Sequence, residues 1–134
     1  MQLDLRLTDS PIPYPPRPWP NDTGAGAVAE FYGIVRGVEE GRALRALRYE
    51  AYADMAEREI RRLLGELAAR HPCRRVAVIH RLGLVPVGEA AIYVRVESAH
   101  RAEAFALLQD FMDRLKQEVP IWKAEAIPQT QAGA

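Results

Sequence analysis

Three groups of polar side chains sit where the predicted elements end, and each has the makeup of an anion-binding or proton-transfer site. Lys116 and Lys123 bracket Val119-Pro120, with Trp122 beside the second lysine. Proline forces a change of direction, so the two ammonium groups can converge at the end of a helix. Neighbouring cations depress each other's pKa, and partial burial beside Trp122 would lower it further. A lysine so perturbed acts as general acid/base or as nucleophile. The same spacing also suits two exposed lysines whose stems cover apolar surface. Ser98-Ala99-His100-Arg101 puts an imidazole and a guanidinium in the first turn of a predicted helix. Free backbone N–H groups and the positive dipole end already attract anions there, and an anionic ligand would offset the unfavourable cations. Arg36 ends the run Phe31-Tyr32-Gly33-Ile34-Val35-Arg36-Gly37, where a planar fork can meet a phosphate or carboxylate.

Other chemistries find little support. The chain has one cysteine, Cys73, in His71-Pro72-Cys73-Arg74. It reads as an incidental thiol in a turn or as a sulfur nucleophile activated by arginines. Gly24-Ala25-Gly26 lacks the third glycine of a dinucleotide fingerprint and precedes a strand. His71, His80 and His100 lie far apart, and His80 reads as a structural strand residue, so no metal and no cofactor are expected. At 134 residues the chain suits one domain. Eighteen Lys+Arg against eighteen Asp+Glu leave no net charge. With aromatic residues at 7%, that disfavours an RNA binder. No apolar run is long enough to span a bilayer and no signal pattern opens the chain, which makes a cytoplasmic protein the default expectation.

The elements that must position these residues follow from periodicity. Most of the ten prolines fall in the first 23 residues, predicted to run extended after a short edge strand over Met1 to Leu7. Strands are expected at Ala27–Val35 and Leu44–Tyr52, separated by a turn over Gly37–Gly41. Asp54 is the expected cap of a first helix, with Glu57 in the capping-box position and an apolar stripe at Ala56, Ile60, Leu63, Leu64 and Leu67. Strands over Arg75–Arg81 and Ala90–Glu97 follow, joined through Gly83 and Gly88. Ser98 is the expected cap of a second helix with the stripe Ala104, Leu108, Phe111, Met112 and Leu115. Ile121–Ala126 completes the order ββαββαβ. Hairpin-like joins and only two helices predict an α+β single domain with a mostly antiparallel sheet.

With these residues in view, the chain resembles the catalytic (large) subunit family of molybdopterin synthase. The likeness rests on five segments over about residues 24 to 128. They are Gly26-Ala27 with Phe31 to Arg36; Leu47-Arg48-Tyr49-Glu50-Ala51-Tyr52 with Met55-Ala56; Val78 to Gly83; Ser98 to Arg101 with Ala104-Phe105; and Leu115-Lys116 with Val119 to Glu125. The resemblance implies a hammerhead-like, dimer-forming fold. It implies a sulfurtransferase that converts cyclic pyranopterin monophosphate into the molybdopterin dithiolene. Sulfur would arrive as a thiocarboxylate on the C-terminal glycine of a small ubiquitin-like sulfur-carrier subunit, so the large subunit needs no cysteine. Lys116 and Lys123 match the family's catalytic lysines, and Arg36, His100 and Arg101 match its substrate pocket. Its assemblies are central homodimers with a small subunit at each end, and the pocket borrows residues across the dimer. No nucleic acid and no membrane are expected as partners.

The expected division is a proline-rich segment over 1–23, a catalytic domain over 24–128 and a short flexible tail over 129–134. Two departures from the family's pattern stand out: that tail replaces a Trp-containing basic extension, and the N-terminal stretch is unusual. A second reading of the same residues is a non-catalytic dimeric module that holds a phosphorylated small molecule or a partner's tail.

Overall fold

The computed structural model describes residues 1–13 and 24–130, so residues 14–23 of the proline-rich segment expected over 1–23 and residues 131–134 of the expected tail lie outside the described residues. The described chain forms β1 (Gln2–Thr8), β2 (Ala27–Ile34), β3 (Val38–Glu39), β4 (Arg42–Ala51), α1 (Ala53–Arg70), β5 (Arg75–Arg81), β6 (Gly83–Pro86), β7 (Ala90–Ser98), α2 (Arg101–Glu118) and β8 (Ile121–Pro128). The expected α+β architecture with two main helices and mostly antiparallel pairing is what the structure has. Neither helix is long and apolar enough to cross a membrane.

The strands fall into two sheets. The first has the order β1-β5-β7-β2, antiparallel except for the parallel pairing of β1 with β5. Val76, Val78, Val94 and Val96 point from its inner face into the main core, where they meet Ile60, Leu63, Leu64 and Leu67 of α1 and Leu107 and Phe111 of α2. Period-2 alternation on the strands and period-3.6 recurrence on the helices therefore bury one common surface. The outer face of β7 is buried as well, through Tyr93 and Glu97.

The second sheet is built on β4. β6 pairs with residues 46–49 and β8 runs along residues 44–51, so the two flank it, while β3 pairs with its start. A smaller core of Val35, Leu44, Leu47, Val85 and Ala91 lies beneath. The rings of Tyr49 on β4 and His80 on β5 meet edge-on at 5.4 Å and tie the two sheets together. His80 is buried and its Nδ1 lies 2.9 Å from the Arg81 carbonyl oxygen, to which an Nδ1–H donates. Burial holds its pKa below the usual histidine value, so the ring is neutral, as expected of a structural residue.

Several local expectations are corrected. Asp54 does not cap α1; it lies in the first turn, and the N-cap is Tyr52, without a side-chain cap bond. Tyr52 N–H donates to the Pro120 carbonyl and its own carbonyl accepts from Ala56, so a strand neighbour fixes the helix entry instead of a capping box. Ser98 ends β7, and its hydroxyl donates to the carbonyl of His100, which is the N-cap of α2. The α2 stripe is rotated by one position: Leu107 is fully buried, while Leu108 and Met112 are half-buried at its flank. The expected turn at residues 37–41 contains the short strand β3. The turn itself is Glu40-Gly41, both at positive φ, between the paired residues Glu39 and Arg42. That is the geometry of a two-residue hairpin whose twist matches its strands.

Two measurements test this packing. Leu107→Ala removes a fully buried side chain and is expected to cost about 3 kcal/mol, with Leu108→Ala costing less than half as much, in denaturant unfolding; equal losses would refute the rotated stripe. His80 stays neutral in the folded state while an unfolded histidine gains a proton below about pH 6.5. The folded state therefore loses stability as pH falls through that value, by at most about 1.4 kcal/mol per unit for this one group. His80→Gln should flatten that part of the stability curve, and an unchanged curve would contradict the buried neutral ring.

Candidate functional site

The site begins where β2 leaves the first sheet. The register shifts between Gly33 and Ile34, a bulge that turns the strand end away from β7. Val35 is then pinned on both sides: its N–H donates to the Glu89 carbonyl and its carbonyl accepts from Gly88. Gly37 is held by Leu44, whose N–H donates to the Gly37 carbonyl. Arg36 sits between these fixed neighbours with its side chain exposed. Backbone bonds thus fix where the guanidinium starts, leaving the side chain free to take a ligand.

Lys123 reaches the same place from the far end of the chain. It lies on β8 opposite Tyr49, with Trp122 opposite Glu50 and Glu125 opposite Arg48. Arg48 and Tyr49 are neighbours on one strand and point to opposite faces. Lys123 and Glu125 face them across a register shift, so the irregularity sends two side chains of like strand parity to opposite faces. Glu125 accordingly pairs with Arg48 at 3.1 Å, while Lys123 joins Tyr49. A shallow depression results, lined by Ile34, Val35, Arg36, Glu39, Leu47, Tyr49 and Lys123.

The electrostatics differ from the expected pair of lysines. The charged partner of Lys123 is the Glu39 carboxylate, with Nζ 2.5 Å from Oε1. Trp122 does not bury Lys123: it stands on the adjacent strand position and meets Tyr52 at a tilt, ring centroids 5.0 Å apart. Tyr49 is half-buried, and desolvation raises its phenol pKa despite the lowering effect of Lys123. It presents a neutral hydroxyl. Sequence reasoning missed both Tyr49 and Glu39 as site residues. Tyr49 was visible as an aromatic on the second strand, but Glu39 gave no signal, because its role depends on the hairpin that carries it.

Lys116 lies exposed in the last turn of α2, where a cation suits the negative end of the helix dipole. This helix end is clamped to α1. Glu118 accepts from Arg114 and Arg62, which together hold its carboxyl down at about 2, and Arg114 also reaches Glu66. Direction along the sheet places the group. α2 packs on β7 and β2 and runs back from the end of β7, while Ile34 pairs with Ala90 at that strand's beginning. Lys116, Arg36 and Lys123 therefore share one end of the domain.

His100 and Arg101 do not. Both are exposed at the N-terminus of α2, beside the start of β2, where Gly26 N–H donates to the Ser98 carbonyl. A Cβ on Gly26 would lie 2.3 Å from the Ala99 carbonyl oxygen, so glycine permits this close approach. Arg101 and Lys116 lie fifteen residues apart in one helix, about 22 Å along its axis. The five expected site residues thus form two clusters at opposite ends of a rigid rod. Cys73 is half-buried and desolvation pushes its thiol pKa up, the opposite of an activated nucleophile.

Comparison with known proteins places the chain among its relatives. Residues 16–118 match the family model described as MoaE protein. A molybdopterin synthase catalytic subunit of Oryza sativa subsp. indica is 48% identical over 104 residues, which cover 78% of this chain and 54% of that one. The corresponding human subunit is 46% identical over 100 residues, covering 75% and 53%. The chain thus spans about half the length of these relatives. Among solved structures, the crystal structure of molybdopterin synthase from Staphylococcus aureus superposes with a TM-score of 0.79 at 28% identity, covering 93% of this chain and 96% of that one. The extent of the family match and the identity to these relatives establish that the chain belongs to the MoaE protein family.

Proposed function

We propose that this protein is the catalytic subunit of a molybdopterin synthase, a sulfurtransferase of molybdenum cofactor biosynthesis. It takes sulfur from the C-terminal thiocarboxylate of a small ubiquitin-like subunit and delivers it to cyclic pyranopterin monophosphate. The observation that carries the reading is the convergence of Arg36 and Lys123 on one depression, from elements at opposite ends of the chain, with Lys116 at the same end of the domain. Cyclic phosphate and thiocarboxylate are both anions, and this end of the domain presents three cations to them.

In this mechanism the protein supplies charge and protons while the partner supplies the nucleophile. Arg36 offers a planar fork to the phosphate. Lys116 and Lys123 stabilise the negative charge on the oxygen that leaves as thiocarboxylate sulfur bonds to a pterin side-chain carbon. They move protons as water then cleaves the thioester, returning the partner's tail as a carboxylate and leaving the sulfur on the pterin. His100 and Arg101 bind substrate from a helix N-terminus, which suits an anion. Because the helix separates them from Lys116 by about 22 Å, a complete site requires a second copy to bring its α2 N-terminus to this depression.

The alternative, a binding module without turnover, is distinguished by the lysines. With a thiocarboxylated small subunit and the cyclic precursor, Lys116→Ala and Lys123→Ala should each lower single-turnover product formation by about 100-fold or more. Full activity in either variant would refute its assignment, and failure to bind any ubiquitin-like partner would refute the synthase reading. The shared site has its own test. Arg101→Ala and Lys116→Ala homodimers should each be inactive. Subunit exchange between them should restore about a quarter of wild-type activity, since half the dimers are mixed and each mixed dimer holds one intact site. No recovery after verified exchange would place each site within a single copy.

A further inference from the structure

We propose that Glu39 is a specificity-determining residue that tunes the Arg36–Lys123 depression to singly charged anions. This deepens the function proposed above and rests on the depression being an anion site. The lining contains two cations, Arg36 and Lys123, one carboxylate, Glu39, and the neutral phenol of Tyr49. The sum is +1. A monoanion such as a phosphodiester or a carboxylate neutralises that balance. A dianion such as a phosphomonoester leaves an excess negative charge beside the Glu39 carboxylate.

Glu39 is built to stay there. Its backbone is fixed by pairing with Arg42, and the next two residues, Glu40 and Gly41, form the positive-φ turn that reverses the chain. Its side chain is about a quarter exposed, against one half for Lys123, so the carboxylate forms the inner side of the pair. An incoming anion therefore meets Lys123 already partnered. It must share the ammonium or displace a tethered carboxylate whose backbone does not move away. Either way, the second charge of a dianion is repelled at close range, where like charges in a partly solvated site weaken binding several-fold. A transferase whose substrate is a cyclic diester would gain from this selectivity, because phosphomonoesters are abundant competitors.

The selectivity can be read with two small anions that differ chiefly in charge. Dimethyl phosphate is a monoanion, and methyl phosphate at pH 8 is a dianion. Each is titrated into the whole protein while the amide signals of Arg36, Gly37 and Lys123 are followed by NMR. Wild type should bind dimethyl phosphate more tightly than methyl phosphate, and equal affinity for the two would overturn the selectivity. Glu39→Gln, which keeps shape and removes charge, should bind methyl phosphate about three- to tenfold more tightly and dimethyl phosphate with a smaller gain. In a Lys123→Ala background the same change should give a reduced gain. Parallel gains for both anions, or no gain, overturn the role of Glu39 and leave the anion site intact. Absence of any saturable shift with either anion in all the proteins refutes the anion site itself, and the Glu39 inference with it. Unchanged thermal unfolding of Glu39→Gln confirms that affinity, not folding, is compared.

Discussion

The antiparallel ladder between β4 and β8 is the interaction on which the site depends. It runs from Ala51 opposite Ile121 to Leu44 opposite Pro128 and returns the chain across the second sheet after α2 has carried it away. Most side chains of β8 are exposed, with only Ile121 and Ile127 partly covered. Burial therefore contributes little to holding this strand, and the work falls to main-chain hydrogen bonds, each worth about 1 kcal/mol net. The ladder is anchored at its start, where Val119 is buried, Pro120 forbids another helical turn, and the Pro120 carbonyl takes the Tyr52 N–H. That last bond also sets the entry of α1. One junction thus ends α2, begins α1 and fixes the first residue of the strand that bears Lys123.

Register then decides chemistry. A strand offers alternate side chains to opposite faces, and a slip of one residue would exchange Lys123 for Trp122 at the depression. The irregularity between Arg48 and Tyr49 does something more local: it lets Lys123 face Tyr49 while Glu125 pairs with Arg48. The bulge after Gly33 acts in the same way on β2, releasing Arg36 from the first sheet toward the second. Two irregularities at two strand ends bring together cations that lie far apart in the sequence. Glu39 pairs with Lys123 beside them, so the local electrostatics are those of two cations and one carboxylate and not of two lysines repelling each other.

Much of the fold was legible because its signals are local. The apolar stripe of α1 and the β-rich runs of β2, β4, β5 and β7 each recur at one period, and their cores lie where those periods put them. Short elements were not legible. β6 has four residues, opens on a glycine at positive φ and closes on a proline, so it carries no alternation long enough to read. The helix starts were misread for a different reason: Asp54 and Ser98 have capping chemistry, but the backbone before each helix is already committed to a strand neighbour, leaving no room for a side-chain cap. At the site, residue types were readable and their grouping was not. Arg36 with Lys123 depends on a bulge and a register. The separation of Arg101 from Lys116, by contrast, was implicit in the length of a single helix.

That separation constrains any assembly that uses all five residues. A helix does not shorten, and α2 is packed along the main core by Ala104, Leu107, Phe111 and Leu115, so its two ends cannot approach each other within one copy. A reaction that needs both ends must draw them from two chains. If each chain lends its N-terminal cluster and receives its partner's, a two-fold axis satisfies both exchanges at once and makes two equivalent sites. On the proposed reading, dimerisation is then a condition for forming the site rather than a means of stabilising the fold, because the core beneath α2 is already closed in the single chain. The charged ends of α2 remain exposed for the same reason. Glu118 and Arg114 are paired within the chain, whereas His100, Arg101 and Lys116 face solvent and on the proposed reading meet their partners through assembly and substrate.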